Sequence, residues 1–424
     1  MSTIAALRSA FQRAPETPVT ELPADEGGES RHARSQALLL ELMDRCLRGV
    51  RIGIEIGERS FTLGRGEAEP LGVLRMRDAA VCTQVLAAGN LGLGEAYMDG
   101  AVQVVRGELH EMLTALLRCR VDQALATDPR LLARLAWVRL QTLARSKAEN
   151  VQRHYDAGDD LFEAFLDPAL TYSCGYMRDP EDSLEQLQIN KFDRICQKLE
   201  LRPGQRLLDI GCGFGGLLIH AAKHYGVHGV GITNSRRHAA RGQANVAAAG
   251  LGEALQIRFD DFTRLDERFD RVVSVGMMEH VPRREFRRYF AAIARVLAPE
   301  GRGLVHTIGA AGPKNVHDPF IQKYIFPGSG QPQLSEISRG LERERLAILD
   351  VENIVRHYGH TILRWLANFR AHREALAGRY EERFLKMFEY YFHCGIAAAF
   401  AGESAVFQVL FTPDMAGPMR LHRI

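Results

Sequence analysis

The chain has 424 residues, 46% apolar and 25% charged, a balance that excludes collagen-like, wholly disordered and coiled-coil classes and, at ~150 residues per domain, allows two or three domains. Lys+Arg 54 against Asp+Glu 52 leaves a net charge of +2, so no global basic field is available for a nucleic acid. Seven cysteines are scattered without a C-x-x-C pair, which argues against a disulfide scaffold or a zinc site and for a reducing, cytoplasmic setting.

No apolar run approaches the ~18 residues of a spanning helix and the N-terminus lacks the apolar core of a signal peptide, so any membrane contact is expected to be peripheral. Residues 1–33 are expected to form a flexible tail, because Ala14 to Ser30 (APETPVTELPADEGGES) carries Pro, Glu and Gly and no aromatic residue. Residues 34–143 predict a small α+β domain: an apolar helix (ALLLELMDRCL), then a glycine-punctuated run with period-2 character (VRIGIEIGERSFTLGRG). Arg130 to Lys147 mixes four arginines with Trp137 and leucines, the composition of an interfacial helix. At 100° per residue its apolar side chains spread around the circumference, so packing between domains is expected there rather than membrane binding. The polar text after Leu143 marks the junction.

Residues 144–424 form the second expected domain. A helix pattern from Ser183 to Leu199 leads through Arg202-Pro203-Gly204 into the strand RLLDIGCG, then come a helix (LLIHAAKHY), a strand (VHGVGIT) and a further helix. DRVVSVG, a helix over Arg283–Leu297 and RGLVHTIG continue the alternation. Strand and helix in turn predict a doubly wound, mostly parallel α/β sheet, Rossmann-like, covered on both faces. Phe286, Tyr289, Phe290, Ile293, Val296 and Leu297 make one apolar stripe on the Arg283–Leu297 helix. Arg283, Arg284, Arg287 and Arg288 lie on its other side, where a solvated basic face is the commoner explanation and a lipid headgroup contact the rarer one.

Gly211, Gly213 and Gly216 in GCGFGG fit G-x-G-x-x-G between a strand and a helix. Such a loop serves a dinucleotide, S-adenosylmethionine, or nothing beyond a tight turn. A dinucleotide site expects an acid ~20 residues on, and the end of the next strand reads Gly231-Ile232-Thr233-Asn234-Ser235 instead. Asp209, two residues before Gly211, completes D-x-G-x-G, the loop signature of class I S-adenosylmethionine-dependent methyltransferases.

The ordered set HYDAGDDLFEAFLDPALTYSCGYM, LLDIGCGFGG, GITNS, FDRVVSVGMMEHV, LVHTIG, DPFIQKYIFPG and HYGHTILRW resembles the cyclopropane-fatty-acyl-phospholipid synthase family over nearly all of residues 145–412. LGLGEAYMDGAVQV resembles the family's smaller N-terminal domain more faintly. The resemblance implies methyl transfer from S-adenosylmethionine to a cis double bond of a phospholipid acyl chain, then proton loss to a bound bicarbonate and ring closure. It implies bicarbonate ligands at Cys174, Glu279, His306 and Tyr358, with backbone contacts near Gly276 and Ile308. Thiol, imidazole and phenol all donate hydrogen bonds, whereas a Glu279 carboxylate would repel the ion unless one of the two carries a proton.

For the methyl donor the resemblance implies Tyr172, Ser173, Asp209, Gly211, Gly213, Thr233 and Asn234. Two positions depart from the family: His238 stands where a glutamine is usual, which puts that donor contact in question, and Met278 replaces a phenylalanine, a swap expected to alter acyl-chain fit. A lipid-covering insertion is expected around 310–360. Partners are then unsaturated phospholipids at the inner membrane surface, with no nucleic acid and no metal; a homodimer is one arrangement the resemblance allows. A methyl- or methylene-branching acyl methyltransferase and an inactive lipid-binding protein on the same fold are the competing readings.

Overall fold

A computed structural model of the chain describes residues 26–120, 129–143, 158–312 and 318–417. They fall into two units, the first built from residues up to 143 with 318–327 and 372–401, the second from 158–312, 328–371 and 402–417.

In the first unit a four-stranded sheet has the order β2-β1-β3-β4, from β1 (Ile52–Ile56), β2 (Arg59–Leu63), β3 (Val73–Met76) and β4 (Val102–Arg106). Ile52, Ile54 and Ile56 are all buried, the in-facing set of a period-2 strand. The helix Ala79–Ala88 begins where the Asp78 carboxylate accepts the Ala80 N–H at 2.8 Å. The helix Glu382–Ala401, distant in sequence, packs on Leu109–Arg118 and Asn90–Met98. Gly94 permits that approach: a Cβ there would lie 2.4 Å from Phe320 and 2.6 Å from Tyr390.

Three expectations change here. The first helix starts at Glu26 and runs to Cys46, inside the segment read as a tail, because extending a helix nucleated by the apolar Leu38–Leu42 run costs far less than starting one; residues 1–25 lie outside the described residues, as does most of the junction after Leu143. The helix Pro129–Leu143 packs within the first unit, on Glu26–Cys46 and Ala79–Ala88. Leu131, Leu135 and Val138, spaced i, i+4, i+7, make the buried stripe, while Trp137 and Leu140 are 60% and 64% exposed. The 310–360 segment forms no single insertion: 318–327 belongs to the first unit, and the remainder builds onto the second unit's sheet.

The second unit holds β5 (Arg206–Ile210), β6 (His228–Thr233), β7 (Leu255–Phe259), β8 (Phe269–Val275), β9 (Leu297–Ala310), β10 (Ala347–Asn353) and β11 (Ser404–Thr412), in the order β10-β11-β9-β8-β5-β6-β7. Pairings from β9 through β7 are parallel, and β11 joins β9 and β10 antiparallel. Leu207, Leu208, Asp209 and Ile210 are all buried, as expected for an inner strand covered on both faces. Tyr289, Phe290, Ile293 and Val296 of the helix Phe286–Val296 bury the predicted stripe. The chain leaves β5 toward β6 and β7, then returns to β8 and β9 on its other side, so a crevice opens at the carboxyl ends of β5 and β8.

Candidate active site

β5 delivers Asp209 to this crevice. The residue is 3% exposed and its Oδ1 has no hydrogen-bond partner among the described residues; burial pushes its pKa up to about 7 against the pull of Lys191. Beyond it the backbone turns through positive φ at Gly211 (83°) and Gly213 (54°). A Cβ on Gly211 would come within 2.9 Å of the Met277 side chain, whereas one on Gly213 would meet nothing within 4 Å among the described residues. Gly213 thus leaves its backbone uncovered by them, the property a ligand-cradling loop requires.

At the end of β6 the Thr233 hydroxyl accepts from the Ser235 N–H at 3.2 Å, and Asn234 is exposed. Ser235 caps the helix Arg236–Ala248 by accepting the His238 N–H. The His238 ring lies 4.6 Å from that of Phe214, so the imidazole stands against the glycine loop. Burial lowers its pKa, with Arg237 adding to the effect.

Tyr172 packs among Phe162, Phe165 and Trp365. Next to it the Ser173 Oγ accepts a hydrogen bond from Lys191 Nζ at 2.9 Å, and the Ser173 carbonyl accepts from Gln188 Nε2 at 3.0 Å. Cys174 is buried, and burial raises its pKa, so it is a neutral thiol, placed to donate to the Gly175 carbonyl at 3.1 Å. The Gly175 N–H donates to Thr361 Oγ1 at 3.0 Å, and Cys174 Sγ lies 3.8 Å from the Ile354 carbonyl. These contacts fix the segment on the helix Val355–Ala371, which carries Tyr358 one turn beyond Ile354 with its ring edge-on to Trp365.

Glu279 sits in a 3₁₀ turn, Met278–His280, just after β8. Its Oε2 accepts the Thr307 hydroxyl at 2.7 Å, and the Ile308 N–H lies 3.5 Å from Oε1. Burial raises its pKa, favouring the protonated acid. On β9, next to Thr307, His306 is held neutral, its pKa brought down to about 3 by burial and by Lys191 and Lys198. Gln408 on β11 is its direct cross-strand partner, and the amide Nε2 lies 3.3 Å from His306 Nδ1. With the amide nitrogen turned to the ring, Nδ1 accepts and the imidazole proton sits on Nε2; the ring's roles follow the orientation of the amide.

A Cβ on Gly276 would lie 3.7 Å from Ser173 Cβ and 3.9 Å from Glu279 Oε1, which makes Ser173 and Glu279 neighbours across that glycine. Two residues expected from the sequence, Ser173 and Glu279, are therefore brought together.

The Gly276 N–H donates to the His306 carbonyl at 2.9 Å, so a backbone contact there falls to its carbonyl, which accepts from an O–H. One expectation changes. Met278 is 0% exposed in the core with Ile210, Val281, Tyr289 and Phe290, so it does not line an acyl-chain pocket. The arginine row is paired or solvated: Arg283 to Glu336 at 2.9 Å, Arg288 to Glu285 at 2.9 Å, and Arg284 with its side chain 84% exposed. Lys191, Thr307 and Gln408 were missed from sequence, although Gln408 is the lone amide in a nine-residue strand buried throughout. A cavity of about 540 Å³ lined by Arg206, His228, Leu255 and Phe269 lies at the opposite, amino ends of the strands, away from all these residues.

Parallel strands wound outward from β5, with D-x-G-x-G at its carboxyl end, define a class I methyltransferase. A family model described as mycolic acid cyclopropane synthetase matches residues 142–409, and the chain belongs to that family. It is 37% identical to the cyclopropane-fatty-acyl-phospholipid synthase of Escherichia coli (strain K12) over 352 residues, 82% of this chain and 90% of that one. It is 34% identical to a probable fatty acid methyltransferase of Pseudomonas putida, over 73% of this chain and 78% of the relative. Among solved structures it is similar to the cyclopropane synthase MmaA2 from Mycobacterium tuberculosis (TM-score 0.58, 30% identity, 62% of this chain and 96% of that one). It is equally similar to the mycolic acid cyclopropane synthase CmaA1 complexed with SAH and CTAB (TM-score 0.57, 32% identity, the same shares). The protein is an S-adenosylmethionine-dependent methyltransferase.

Proposed function

We propose that the protein is a cyclopropane-fatty-acyl-phospholipid synthase, which adds a methylene bridge across the cis double bond of an unsaturated phospholipid acyl chain with bicarbonate as the base. S-adenosylmethionine supplies the electrophilic methyl group on its sulfonium. The alkene π pair forms the new C–C bond as the C–S bond breaks, a proton leaves the new methyl for the base, and the C–H pair closes the ring onto the cationic carbon. An alkene is a weak nucleophile, so much of the work is holding the reactants together and dry. Tyr172, Ser173, Asp209, Gly211, Gly213, Thr233 and Asn234 line the donor's place in this reading, with His238 and Phe214 as an aromatic wall.

The observations that carry the reading are two buried polar pairs that β9 holds on its two faces, Glu279–Thr307 beside Ser173 and His306–Gln408. The residue types suit a small anion: a thiol at Cys174, an imidazole at His306 and a phenol at Tyr358 are groups that can donate, and Glu279 is favoured as a neutral acid. A bicarbonate held so would take the proton without a charged side chain competing for the cation.

No described helix is long and apolar enough to cross a membrane. Trp137 and Leu140, exposed on the helix Pro129–Leu143, are side chains of the kind that enter a lipid interface, and they support peripheral action at the inner membrane surface. The Pseudomonas putida relative carries the second reading, a fatty-acyl methyltransferase leaving a branched chain. The test is turnover of S-adenosylmethionine with vesicles of a cis-unsaturated phospholipid, followed by identification of the lipid product.

A further inference from the structure

Lys191 is 0% exposed on the helix Leu184–Lys198. Its ammonium donates to Gln188 Oε1 at 2.7 Å and to Ser173 Oγ at 2.9 Å, and it lies 4.7 Å from the Phe192 ring centroid. Both hydrogen-bond partners are uncharged. Asp167, Cys174 and Asp209 favour its charged form, yet burial prevails and draws its pKa down to about 8. A fully buried ammonium without a carboxylate on it is costly, and such a charge persists where something else compensates it.

Ser173 shows where that compensation enters. Its Oγ already accepts from Lys191, so the hydroxyl's own proton must point to another acceptor. Ser173 is only half-buried and borders Gly276 at the mouth of the crevice. Gln188 holds the other side, donating from Nε2 to the Ser173 carbonyl while Oε1 receives Lys191. Lys191 and Gln188 thus hold Ser173 at its hydroxyl and its carbonyl, and the serine's own proton is left to donate.

We propose that Lys191 is a positioning residue for the methyl donor: through Ser173 it recognises the α-carboxylate of the donor's methionine portion, the ammonium fixing the hydroxyl as a donor and supplying the positive field. This rests on the reading that Ser173 faces the donor. The acid product S-adenosylhomocysteine and its decarboxylated analogue differ only in that carboxylate, so their relative affinity isolates it.

Calorimetry with purified full-length protein and both ligands is the experiment. The wild type is expected to prefer S-adenosylhomocysteine, and Lys191→Met and Lys191→Gln to lose about 10-fold or more of its affinity while binding the decarboxylated analogue as before. Ser173→Ala is expected to show the same selective loss, and the double variant little more than either single one. The melting temperatures of both Lys191 variants, read alongside, separate a loss of recognition from a loss of the fold. Equal losses for both ligands, or an unchanged preference in both Lys191 variants while Ser173→Ala loses it, would overturn the role of Lys191 and leave the donor site standing. An unchanged preference in Ser173→Ala as well would overturn the donor-site reading itself.

Discussion

Gln408 and His306 face each other across the β9–β11 ladder, amide Nε2 to imidazole Nδ1 at 3.3 Å. With the amide nitrogen toward the ring, the contact sets the one imidazole proton on Nε2, away from β11. Gln408→Leu keeps the strand apolar and removes the hydrogen bond, so both tautomers become accessible. Turnover is expected to fall about 10- to 100-fold, the range typical of a partner that orients an imidazole, with the donor's affinity unchanged. Nitrogen NMR of labelled histidine should show His306 shift from the Nε2–H form to a mixture; an unaltered spectrum with full activity would dismiss the role of Gln408.

Activity is expected to depend on bicarbonate. In buffer stripped of carbon dioxide the rate should drop and recover on addition of the ion. Glu279→Gln and Tyr358→Phe should each lose on the order of 10²-fold or more in turnover and much less in donor affinity. Equal rates with and without bicarbonate would remove the anion from the chemistry.

Gly213→Val places a branched side chain at φ 54° on backbone that the described residues leave uncovered. The strained conformation and the occupied space together should abolish binding of S-adenosylmethionine, while far-ultraviolet circular dichroism stays that of the wild type. Retained affinity would show that the donor does not approach this loop.

His306 has a definite pH signature. Its folded pKa is about 3 against an ordinary 6.5, so between these values the unfolded chain takes up a proton that the folded chain does not. Its contribution to stability is present above 6.5 and is lost as pH falls toward 3. Asp209, with its pKa raised to about 7, works in the opposite sense, so the comparison needs a variant. The melting temperature of the wild type should fall more steeply than that of His306→Gln as pH is lowered from 6.5 to 4. Parallel curves would contradict a buried neutral imidazole.

The sheet was legible because its strands are short apolar runs between glycine turns and amphipathic helices, a pattern set by local chain chemistry. Asp209, Gly211 and Gly213 were legible because a loop that touches a ligand needs small residues at fixed spacing. Lys191 and Gln408 carried no such spacing; each acts through a partner distant in sequence, Ser173 and His306, and only the folded ladder or helix contact discloses it. Met278 was misread through its adjacency to Glu279: in a 3₁₀ turn successive residues diverge by ~120°, so one enters the core and the other the site.

The most direct test is proton NMR of phospholipid recovered after reaction with S-adenosylmethionine. Ring closure and methylene branching add the same CH2, so mass cannot separate them, whereas cyclopropyl protons resonate far upfield of ordinary methylenes. Cyclopropyl signals appearing as the olefinic signals of the substrate decline are the expected result. New vinylic or branched-methyl signals without cyclopropyl ones would contradict ring formation.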